Sequence, residues 1–72
     1  MTYELTNAEK ISIIDQHLKN LEYNRYNLQV SILELTSATN PKQESIDDIQ
    51  AQIDSIVAQQ TALNAEVTSL TV

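Results

Sequence analysis

Two apolar series, mirrored about Asn40–Pro41, set the tightest limit on how this chain can fold. Before Pro41, Ile or Leu stands at 11, 14, 18, 21, 28, 32 and 35. After it, Ile46, Ile49, Ile53, Ile56, Leu63, Val67 and Leu70 follow the same alternation of three and four. That spacing keeps side chains on one stripe of an α-helix and is the heptad a/d pattern of helices that pack along their length. Each series has one polar place, Arg25 in the first and Gln60 in the second, so 14 of the 16 a/d places are aliphatic. Laid antiparallel, the two series meet in eight layers whose residue numbers always add to 81. Leu35 faces Ile46 beside the turn, Leu28 faces Ile53, Arg25 faces Ile56, Leu21 faces Gln60, and Ile11 faces Leu70 at the open end. The symmetry point falls on the turn residues themselves, an agreement between local and long-range signals that marks a foldable sequence.

The pattern predicts an all-α fold, an antiparallel two-helix hairpin of coiled-coil type. The chain has no glycine and one proline, which leaves both helices uninterrupted. Helix 1 is expected over about 7–38, the turn over about 39–42 and helix 2 over about 43–70, all within one domain. Thr6-Asn7-Ala8-Glu9 has the form of a capping box. Asn40-Pro41 offers an N-cap followed by a first-turn proline, so helix 2 is read as starting early with a frayed turn; Ser45 is a rival cap. Glu44, Asp47 and Asp48 suit the positive end of that helix's dipole.

Composition then removes whole classes of function. Without glycine there is no phosphate-cradling loop or dinucleotide fingerprint, and without cysteine no disulfide framework, thiolate metal site or thiol nucleophile. His17 is the single histidine; at a g place near Glu66 it reads as a surface imidazole, with no converging ligands for a metal. The carboxylates lie on convex helix surfaces with no cleft to perturb them. No catalytic residue, metal site or cofactor is expected, and the chain is read as non-enzymatic. No stretch approaches the roughly 18 apolar residues of a membrane span, and MTYELTNAEK lacks the layout of a secretory signal, so a cytoplasmic or virion-associated protein is expected.

Seventy-two residues form a small domain, and two helices give each core side chain only one facing partner. Self-association, with a dimer favoured, or a protein partner is therefore expected. Two further stripes could serve. Tyr23, Tyr26, Val30 and Leu33, spaced 3, 4, 3, lie opposite the seam on helix 1 beside Ile13 and are read as a contact face, the alternative being scattered surface hydrophobes. Ala51, Ser55, Ala58, Ala62, Ala65 and Ser69 form a strip of small residues on helix 2, either for close packing or simply as good helix formers. Arg25 and Gln60 are read as a polar core layer that fixes register, with Glu22 placed to pair with Arg25 and Gln60 placed to accept a hydrogen bond. A ligand-binding arginine and an intersubunit contact are the alternatives. Asp15 and Lys19 are spaced as an i, i+4 pair. The e and g places are poor in charge: Gln29, Ser31, Gln50, Gln52, Gln59 and Asn64.

The net charge is −6, with five acids and three bases in residues 1–40 and five acids and one base in 41–72. Lys10, Lys19, Arg25 and Lys42 form no basic stripe, which disfavours nucleic acid, and the exposed faces lack the cations of a membrane-surface helix. The dimeric RNA-binding hairpin of the repressor-of-primer family is similar in size and architecture, but none of its motifs stands here. A regulator linked to nucleic acid, either an RNA-binding bundle or an acidic decoy of a nucleic-acid-binding protein, is the alternative to a protein-interaction module. The stretch LTNAEKISIIDQHLKNLEYNRYNLQVSILEL resembles short helical proteins of tailed phages of marine cyanobacteria. The resemblance implies a phage accessory or virion role and carries over no binding or catalytic residue.

Overall fold

The computed structural model describes residues 4–71, so Met1–Tyr3 of the leading segment and Val72 lie outside it. The chain forms two helices, α1 over Asn7–Thr36 and α2 over Gln43–Leu70, packed against each other as a hairpin. The result is a rod of about 60 × 20 × 15 Å.

The heptad register predicts which side chains are shielded. All sixteen a/d residues are half-buried or buried, and almost every other described residue is exposed. Only Ile53, 8% exposed, is buried outright. It sits in an interior layer of α2, opposite Leu28 in the predicted register. Every other seam residue keeps a wet flank, as a two-helix layer requires.

The helix ends explain how a chain without glycine turns. At the start of α1 the capping box forms: Thr6 Oγ1 accepts from the Glu9 amide at 3.1 Å, and Glu9 Oε1 accepts from the Thr6 amide at 3.0 Å. At its end, Ser37 and Thr36 hydroxyls both donate to the Leu33 carbonyl, at 2.7 and 3.1 Å, and Ala38 N–H reaches the Leu35 carbonyl. Hydroxyls and tightened turns thus satisfy carbonyls that a left-handed glycine cap would otherwise serve. No described residue has positive φ. At the open end, Asn7 Nδ2 of α1 donates to the Leu70 carbonyl of α2 at 3.2 Å, tying the first residue of one helix to the last of the other.

Helix α2 spans Gln43–Leu70, the range expected, but the helix ends at the turn are capped differently from the sequence reading. Helix α1 stops at Thr36, two residues short of the expected end. Helix α2 starts at Gln43, so Asn40 does not cap it, Pro41 is not its first residue, and Ser45 lies inside its first turn. Lys42 holds the N-cap position in an extended conformation and offers no side-chain hydrogen bond; its carbonyl accepts the Ile46 amide at 3.2 Å. The physical reason is reach. Packed helix axes lie about 8–10 Å apart, and the chain must cross that gap in non-helical conformation before a second helix can begin. Glu44 stands in the first turn, and Gln43 Nε2 donates to Asp47 Oδ1 at 2.8 Å.

Two outcomes follow for stability. Replacing Lys42 by Ser supplies the missing cap acceptor and is expected to stabilise the hairpin by about 1 kcal/mol, read as a higher urea midpoint. Ile53→Ala should be the costliest aliphatic truncation in the chain, at about 2–3 kcal/mol, with Ile11→Ala at the open end costing less in the same denaturation series.

Candidate functional site

The polar layer is the most organised group of side chains in the molecule. Helical spacing puts Glu22 one turn from Arg25, and the guanidinium grips it: Arg25 Nε lies 2.9 and 3.1 Å from the two carboxylate oxygens, and Nη2 also donates to Oε1. Arg25 Nη1 donates in the other direction to Gln29 Oε1 at 3.2 Å, so the head group spans two turns of α1. Across the seam, Gln60 Nε2 donates to Glu22 Oε2 at 3.0 Å. Gln60 therefore donates where it was expected to accept, because the group that faces it is a carboxylate and not the arginine. Glu22 neighbours Leu21, the residue with which the register pairs Gln60, so the bond joins the helices in the predicted layer.

Glu22 thus becomes the bridge between the two polar seam residues. The Arg25 guanidinium, and after it the Gln60 amide, hold its carboxyl down at about 2, well below the ordinary carboxylate range. Arg25 is shifted upward by the same carboxylate. The arginine is not stranded in an apolar seam; its charge is answered within its own helix.

Elsewhere the surface carries scattered charges, most of them acidic. Arg25–Glu22 is the one ion pair among the described residues. Asp15 and Lys19 do not close to bonding distance, a correction that fits their exposure, since water solvates each ion as well as the other would. His17 and Glu66 are both exposed. Several hydroxyls bond back to their own helix: Ser31 to the Asn27 carbonyl, Thr61 to Val57 and Thr68 to Asn64. Among the described residues there is no pocket and no cluster of metal-ligating side chains. No described helix is long and apolar enough to cross a membrane.

The two candidate stripes lie away from this layer. On α1, Tyr23, Tyr26 and Leu33 are 71, 61 and 59% exposed. Val30 is half-buried rather than open, lying between Tyr26 and Leu33 along the same face. Ile13 is exposed too, but stands three turns away towards the open end. On α2, Ala51, Ser55, Ala58, Ala62, Ala65 and Ser69 are all exposed, and Val57 is a large exposed aliphatic that the sequence reading passed over. Its signal was available: Val57 follows the seam residue Ile56 at an e place, on the flank of the apolar stripe. Comparison with protein families, curated proteins and solved structures finds no match for this chain.

The bridge makes a pH-dependent contribution of known sign. A carboxyl whose folded value is depressed stabilises the fold above its ordinary value of 4.5, and that stabilisation is lost as pH falls towards about 2. Glu22→Gln should therefore lower the urea midpoint at neutral pH, and the gap between variant and parent should close through that acid window. A gap that stays constant with pH contradicts the bridge.

Proposed function

We propose that this protein is a non-enzymatic helical interaction module, a coiled-coil-like hairpin that self-associates, with a dimer as the favoured assembly. The observation that carries this reading is the seam's exposure. Fifteen of its sixteen a/d places stay partly open to water, and only Ile53 is buried. Fully burying an aliphatic side chain contributes roughly 1.5–3 kcal/mol, and half-burial proportionally less, so a single hairpin is a poorly stabilised unit. A second chain adds apolar burial on another face of the hairpin and so makes up for what one thin seam cannot supply.

The stripe of Tyr23, Tyr26, Val30 and Leu33 is the proposed contact face. It offers large apolar area with polar tips and few charges, the composition favoured in protein contacts. No cofactor, metal or nucleic acid enters this reading, and the chain's −6 charge opposes phosphate binding. The phage resemblance of residues 5–35 supports an accessory or virion setting, within the host cytoplasm or the particle.

Light scattering and circular dichroism, followed together from low micromolar to near-millimolar protein, test the proposal. Mass should rise from that of one 8.1 kDa chain to that of two, and helicity should rise with it. A fully helical species of one-chain mass at every concentration overturns it.

A further inference from the structure

We infer that the occupant of the α1 stripe is a second copy of this chain, docked with its own α1 antiparallel about a two-fold axis near Leu28. The inference rests on the self-association proposed above and specifies its geometry. The stripe is self-complementary under such an axis. Tyr23 falls opposite Leu33 of the second copy, and Tyr26 opposite its Val30, so each ring packs on an aliphatic side chain and no two rings collide. A parallel pairing would instead stack each side chain on its own counterpart. An isologous contact of this kind closes at two chains, because each copy's stripe is then occupied.

Charge is compatible with the same register. At an antiparallel helix contact, the places flanking the stripe face their own kind across the axis. Glu34 then meets Asn20 of the second copy, Asn27 meets Asn27, and Glu22 meets Thr36. No two acids are opposed, although the chain is strongly acidic overall. The rival strip on α2 is worse placed on both counts: alanines and serines offer little apolar area, and residues 41–72 carry five acids against one base.

The area sets the strength. Two tyrosines and a leucine at these exposures, with Val30 and the flanking stems, offer on the order of 500 Å² per copy, or about 1,000 Å² in the pair. That is below the size of an obligate interface and within that of reversible ones, so the dimer should dissociate on dilution.

The chain has no cysteine, so single-cysteine variants report the geometry without background. Under mild oxidation of concentrated protein, Asn27→Cys, close to the axis, should form a covalent dimer efficiently. Asn20→Cys, eight residues from the axis and so about 24 Å from its counterpart, should not. Sedimentation should show Tyr26→Glu monomeric where the parent is dimeric, and Ala62→Glu unchanged. Equal crosslinking at 20 and 27 indicates a parallel pair and overturns the inference. So does a dimer that survives Tyr26→Glu, or one that is lost in Ala62→Glu; either leaves self-association standing and moves it to another face. A parent chain that never dimerises overturns both.

Discussion

One-sided shielding governs this molecule. Two helices laid together cover the facing side of each other's apolar stripe and nothing else. Every a/d residue therefore meets protein on one side and water on the flank, and only Ile53, in an interior layer of α2, escapes. The thinness of the core explains why small terms matter. A capping box at Thr6, hydroxyl caps at Thr36 and Ser37, and the Asn7–Leu70 tie each contribute modestly, yet each is a noticeable share of what holds so slight a fold together.

The polar layer fits the same logic. A cation in a well-sealed core would be costly to leave unpaired. In a seam open at its flanks, Arg25 keeps its stem among aliphatic side chains and turns its head group along α1 to Glu22 and Gln29. Glu22 in turn receives Gln60 from the opposite helix. A slip of α2 by one heptad would bring Val67 or Ile53 to that carboxylate and leave Gln60 among aliphatic residues. The layer thus penalises the misregistered pairings that the repetitive aliphatic layers would tolerate.

The fold was legible in the sequence because periodicity is a property of many residues at once: one mistaken place leaves the stripe intact. The seam positions, the capping box and the Glu22–Arg25 pairing were all readable from spacing. Three details were not. The N-cap of α2, Lys42, depends on how far the chain must travel between helices, which local cap preferences at Asn40 and Ser45 do not register. The role of Gln60 depends on which neighbour faces it, and an amide can donate or accept equally well. The half-burial of Val30 is not registered by its heptad place, which spacing puts on the side away from the seam. The Asn7–Leu70 bond lay within reach, since the register that pairs Ile11 with Leu70 puts Asn7 one turn beyond that layer.

The inward-turned hydroxyls of Ser31, Thr61 and Thr68 have a further consequence for the helix surfaces. A polar group covered by another protein must give up its water, and an unpaired one charges the full desolvation penalty to the contact. These hydroxyls have already given their protons to carbonyls of their own helices. A neighbour laid across them strips little water and strands no donor. At these three places the surface is, in hydration terms, closer to alanine than its composition suggests.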